Sequence, residues 1–157
     1  MMTRVMLAVA AILLVIAGWF VFSTMRVSSD PPDVQIQSAL SDAATSYNTG
    51  RVWDALSIVS SEYKDNTGLT RDQLTALISR YRVEAPDALV TIEKADVQIT
   101  GDEAVIPMEV SISGPAVRRY SVTLHMKREN VTAYGVIPVK RWRVFRVENM
   151  PEMRDMI

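Results

Sequence analysis

The apolar pattern of this chain changes period once, at Pro86, and that change separates what can become helix from what can become sheet. Before Pro86, apolar residues recur three and four apart: first Ile36, Leu40, Ala43 and Tyr47, later Leu74, Leu77, Ile78 and Tyr81. Such spacing gathers them on one face of a helix with about 3.6 residues per turn. After Pro86 the spacing is two. Val90 and Ile92 alternate with polar residues, and Ala95, Val97 and Ile99 alternate at the opposite parity. A parity switch inside one strand is what an inserted residue produces, so a bulge is expected near Glu93 and Lys94. Ile106, Met108, Val110 and Ile112 mark the next half-buried strand, and Tyr120, Val122, Leu124 and Met126 the one after. Turns are expected at Gly101-Asp102 and Gly114-Pro115, and a last strand from Trp142 to Val147. Between the last two strands, residues 130–140 read as a long, partly apolar loop holding Tyr134, Val136, Ile137 and Val139. Helices followed by an antiparallel meander predict an α+β fold, with three N-terminal helices packed on a curved antiparallel sheet.

Local signals place the helix ends. Asp30 before Pro31 reads as an N-cap followed by proline in the first turn, and Gly50 stops that helix. A second short helix is expected from Val52 to about Ser60, with Val52, Ala55, Leu56 and Val59 inward. Thr70-Arg71-Asp72-Gln73 is a capping box, flanked by Leu69 and Leu74 as a hydrophobic staple. Pro86 bars continuation of the third helix.

Residues 5–22 (VMLAVAAILLVIAGWFVF) are all apolar or glycine. About 20 residues of helix cross the roughly 30 Å hydrocarbon core of a bilayer. The segment reads as an uncleaved transmembrane anchor, with a cleaved signal sequence as the alternative. Arg4 and the amino terminus precede it, while Asp30 and Asp33 follow Arg26, which places the N-terminus inside. The expected organisation is an anchor at residues 1–26, a linker at 27–33, one domain at 34–150 and a tail at 151–157. The domain would sit in the periplasm or at the cell exterior, tethered to the cytoplasmic membrane.

Several chemistries are excluded or weakened. There is no cysteine, hence no disulfide framework and no thiolate metal site. His125 is the only histidine, on the polar side of its strand, so no metal site and no cofactor is expected. It reads as an exposed strand residue or a dimer contact. The net charge of -1 argues against nucleic acid as a partner. Charge is uneven, however: from Val117 onward there are nine Lys/Arg and four Asp/Glu. Arg118, Arg119, Lys127, Arg128, Lys140, Arg141 and Arg143 could form a basic patch for anionic headgroups or an acidic partner, or simply a solvated face. Asn130-Val131-Thr132 matches a glycosylation acceptor, a pattern common by chance. Tyr47, Trp53, Tyr63, Tyr81 and Met108 are candidate pocket-lining residues, with plain core packing as the alternative.

Element order and short patterns then point to a family. The features are a helix ending before Gly50, a short helix from Val52, the segment SEYKDNTG, the capped helix from Thr70 and the strand WRVFRV. With these the chain resembles the nuclear transport factor 2-like superfamily, also called the cystatin-like cone fold. Residues 68–74 (GLTRDQL) look like small exported bacterial members, and the resemblance covers roughly residues 34–147. It implies a conical pocket between helices and concave sheet, and often a dimer through the outer face of the sheet. Its members include isomerases, dehydratases, ligand-binding modules and assembly domains, so fold alone does not name a function.

The ketosteroid-isomerase branch of that superfamily uses a tyrosine on the first helix and an acidic base after the second. By the resemblance those positions fall on Ala43 and Asp65. The donor is absent, and Asp65 stands as a catalytic candidate without a partner. Three functions are therefore expected in order: a non-enzymatic binding or assembly module engaging itself or an envelope protein; a binder of a small hydrophobic ligand, with Ala43 leaving room beneath helix 1; and an isomerase- or dehydratase-like enzyme using Asp65.

Overall fold

The computed structural model describes residues 30–114, 116–133 and 137–150. The anchor expected at residues 5–22 and the tail at 151–157 lie outside them. Among the described residues no helix is long and apolar enough to cross a membrane.

Helix α1 spans Pro32–Asn48, α2 Val52–Ala55, a 3-10 turn Leu56–Ile58, and α3 Arg71–Glu84. The α1 start corrects the sequence reading. Pro31, not Asp30, takes the cap position, and no side chain caps the helix. Two consecutive prolines shift the entry by one residue, and Asp30 instead receives the Gln35 side-chain amide on its carbonyl at 2.6 Å. At the other end Gly50 follows the cap residue Thr49 with φ +81, the left-handed turn that glycine adopts without cost. The capping box at Thr70 is present, with the Thr70 amide donating to Gln73 Oε1 at 2.9 Å. Helix α2 is shorter than its periodicity predicts. Beyond Ile58 the chain turns extended because Ser60 donates its N–H to the Val144 carbonyl at 2.8 Å. A tertiary hydrogen bond overrides the helical pattern there.

The strands are β1 Leu89–Ala95, β2 Gln98–Thr100, β3 Glu103–Ser113, β4 Arg118–Ala133 and β5 Ile137–Glu148. They form one antiparallel sheet in the order β1-β3-β4-β5, with β2 paired to the start of β3. The register slips between Ile92 and Lys94, so Glu93 is the bulge that the parity switch predicts. A second slip makes Phe145 an extra residue on β5, since His125 pairs with Arg146 and Met126 with Val144. Residues 130–133 and 137–140 of the loop expected at 130–140 are strand instead: Asn130 pairs with Lys140 and Ala133 with Ile137, while residues 134–136 lie outside the described residues. The β-branched residues Val131, Thr132 and Val139 suit a ladder as well as a loop, and the partner strand decides. The Asn130-Val131-Thr132 triplet lies inside this ladder.

Ile36 and Leu40 of α1, Leu56, Val59, Leu74 and the inward residues Ile106, Met126 and Val144 form the core. Ile36, Ile106 and Met126 are fully enclosed. At the free side of β1, the Asn48 side chain donates to the Val90 carbonyl and accepts from the Val90 amide, both at 2.8 Å. This amide pair blocks the strand edge as a neighbouring strand would.

Candidate functional site

The concave face of the sheet and the three helices form an open hollow of about 340 Å³. The roof comes from α1 through Leu40, Ala43 and Tyr47, and from α3 through Leu74, Ile78 and Tyr81. The floor comes from β1, β3 and β4 through Ile92, Met108, Val110, Tyr120 and Val122. These floor residues share the sheet face that the two-residue period assigned inward. Among the described residues no Asp, Glu, His, Lys or Arg contributes to the lining.

Of the pocket residues named from sequence, Ala43, Tyr47, Tyr63, Tyr81 and Met108 lie on this cavity. Trp53 does not: it is 74% exposed. Helix α2 has a single turn, and it turns Val52 and Leu56 inward at i and i+4, which leaves Trp53 on the outer side. The other lining residues, such as Val110 and Val122, read from sequence only as core. A cavity wall and a packed core use the same side chains, so no local signal separates them.

The polar content of the cavity comes from tyrosines. Tyr63 is 2% exposed, and its hydroxyl is buried without a hydrogen-bond partner among the described residues. Burial, with some help from the Asp65 charge, pushes its phenol up to about 12. It therefore stays a protonated hydroxyl at neutral pH, able to donate and accept but not to act as a base. The Tyr47 hydroxyl is likewise buried, with the Arg82 guanidinium as its polar neighbour. Burial raises its pKa against the opposing charge of Arg82, whose guanidinium lies 5.5 Å from the Tyr47 ring centre.

Asp65 faces away from this chemistry and does not line the cavity. Its Oδ1 accepts from the Thr67 amide at 2.9 Å, the Thr67 hydroxyl at 2.8 Å and the Leu69 amide at 2.8 Å. Desolvation alone would raise its pKa, but these hydrogen bonds and one from Gly68 outweigh it and hold the carboxyl below its usual range. Asp65 organises the turn into α3. Among the described residues no cluster of His, Cys, Asp or Glu could hold a metal ion.

The expected basic patch is divided by the pleat. Lys127 and Arg128 are neighbours on one strand and so face opposite ways, as do Arg118 and Arg119. Lys127 is paired with Glu62 and lies 3.5 Å from Glu129. Arg128 sits 5.7 Å from the Trp142 ring and 3.9 Å from Asp102. Arg141 and Arg143 do share the outer face with Lys127, but Glu129 interleaves them, opposite Arg141. His125 is less exposed than its strand parity suggests. Its side chain is 15% exposed, 3.1 Å from Glu148 and 3.3 Å from Arg146, against the edge of Phe145.

No family model and no curated protein sequence matches the chain. Solved structures do. An NTF2-like protein of unknown function from Pseudomonas putida superposes with a TM-score of 0.59 at 9% identity, over 73% of this chain and 82% of that one. The CaMKII hub of S. rosetta matches at 0.53 and 16% identity, over 75% and 95%. The chain has the nuclear transport factor 2-like fold. Bd1075 of Bdellovibrio bacteriovorus matches at 0.59 and 8% identity over 74% of this chain, which spans only 39% of that protein. At these identities the likeness concerns the NTF2-like fold, and function rests on the cavity.

Proposed function

We propose that this NTF2-like domain binds a small, mainly apolar molecule in its cone, oriented by hydrogen bonds to tyrosine hydroxyls. The carrying observation is an apolar cavity of about 340 Å³ with the Tyr63 hydroxyl buried and unpartnered beside it. Ligand sites are commonly apolar hollows of roughly 300–1,000 Å³ with a few placed polar groups. A lining without carboxylate or imidazole supports binding over general acid–base chemistry.

The assembly reading draws less support. The described parts of its long loop, residues 130–133 and 137–140, are paired strands, and its basic patch is split between two faces. A homodimer through the outer sheet face, or capture of an envelope protein, stays compatible with ligand binding in the cone. The apolar run at residues 5–22 supports placing the binder at a membrane, with the domain outside.

Filling the cone tests the reading. With 1-naphthol as an apolar probe carrying one hydroxyl, Ala43→Trp should abolish the quenching of protein fluorescence while circular dichroism stays unchanged. Undiminished binding in a folded variant would refute the site.

A further inference from the structure

The two edges of the sheet are closed differently. On β1 the Asn48 side chain fills the hydrogen bonds of Val90. On β5 the free side is covered only in part: Ser60 donates its N–H to the Val144 carbonyl at 2.8 Å, and Lys64 to that of Phe145 at 3.1 Å. Backbone groups alternate sides along a strand, and β5 pairs with β4 without a slip from Lys140 to Val144. Trp142 and Lys140 therefore turn their N–H and C=O the same way as Val144, away from β4. Among the described residues nothing on that side hydrogen-bonds them. Beside them lies an open hollow of about 420 Å³, with α1 as its far wall.

The charges along this edge sort by face. Arg141 and Arg143 stand two residues apart on the outer face, opposite Glu129 and Lys127. Glu129 is already engaged: it accepts the Ser60 hydroxyl and lies 3.5 Å from Lys127. Among the described residues no carboxylate oxygen lies within 4.0 Å of Arg141 or Arg143. Burial lowers the Arg143 pKa; the charge of Glu129 opposes this, and those of Arg141 and Arg71 add to it. An added anion would relieve that setting. The inner side differs. There α1 presents Ser38, Ala39 and Asp42, and a carboxylate would meet Asp42.

We propose that this edge takes an extended segment of a partner protein as an added strand, with acidic residues at every second position. Its main chain bonds to Lys140 and Trp142. Its carboxylates lie on the outer face against Arg141 and Arg143, and the residues between them, small and uncharged, face α1. Strand addition draws affinity from main-chain hydrogen bonds and specificity from alternate side chains. Other occupants fit less well. A second copy joined edge to edge would set Arg141 and Arg143 against their own counterparts, and like charges directly opposite are destabilising. The tail at 151–157 follows the end of β5 at Glu148, and Ser60 and Lys64 hold the edge between that end and Trp142. The site is separate from the cone and does not depend on a ligand there.

The test uses the full chain in an amphipathic polymer, titrated calorimetrically with a short acetylated and amidated peptide of alternating glutamate and threonine. Lysine in place of glutamate should weaken binding by about tenfold or more, as should Arg141→Gln combined with Arg143→Gln. Equal binding of the lysine peptide would overturn the acidic assignment. N-methylation separates strand addition from plain charge attraction, because only every second amide of an added strand faces β5. With methyl groups on the glutamates or on the threonines, one form should bind as before and the other should not bind. Binding by both, or by neither, would overturn strand addition. Bound peptide should also slow hydrogen exchange at the Lys140 and Trp142 amides by about tenfold. Slow exchange there before peptide is added would show the edge already filled, by a second copy or by residues 24–29, and would overturn the proposal.

Discussion

Tyr63→Phe removes one oxygen atom and almost nothing else, and the structure fixes the direction of two effects. The ring is 2% exposed and stays in place, so packing is preserved. The hydroxyl it loses is buried without a partner. Leaving such a group unsatisfied costs about 1–3 kcal/mol, so the ligand-free protein should gain about 1 kcal/mol. For a domain of this size that raises the melting temperature by about 4 °C. Urea denaturation at pH 7 and differential scanning calorimetry measure both. The same change should weaken 1-naphthol binding by about tenfold, because the ligand hydroxyl loses its partner. Stability and binding thus move in opposite directions. A variant destabilised by 1 kcal/mol or more would show that the hydroxyl already has a partner, such as an enclosed water, and would refute the reasoning.

Three further outcomes are expected. The Tyr63 phenol titrates at about 12 in the fold against 10.0 for an ordinary tyrosine, so the unfolded chain releases this proton first. The fold therefore loses roughly 3 kcal/mol as the pH rises from 10 to 12 and nothing on this account below pH 10; Tyr63→Phe should flatten the alkaline limb of the stability curve. Asp65→Ala should cost about 2 kcal/mol at neutral pH through three lost acceptor contacts. Because the folded pKa of Asp65 is lowered, the difference from wild type should persist above pH 4 and vanish as the pH falls through that value; a pH-independent loss would contradict the assignment. Asn48→Ala should cost about 1–2 kcal/mol and speed hydrogen exchange at the Val90 amide, and unchanged exchange would show that the amide pair does not guard the edge.

Much of this was legible in the chain because the signals are local. The bulge at Glu93 follows from a parity switch within ten residues, and the α3 cap from four consecutive residues. The inward sets Ile106, Met108 and Tyr120, Val122 follow from period two. Two of the errors are local, the cap at Pro31 and the outward Trp53, and the others concern competition with distant partners. The second helix ends early because Ser60 bonds to Val144, far away in sequence. Residues 130–133 and 137–140 became strand because β4 and β5 each supply the other's ladder.

The order of elements, the face each one buries and the fold class came from the sequence alone, since side-chain period is set by backbone geometry. Which apolar residues surround a cavity rather than fill it came only from the tertiary structure. That depends on the volume left between α1 and the curved sheet, to which residues from every element contribute. The separation of the basic residues likewise depends on cross-strand register. Coulomb energy falls with distance through space, and distance through space is what a linear pattern does not carry.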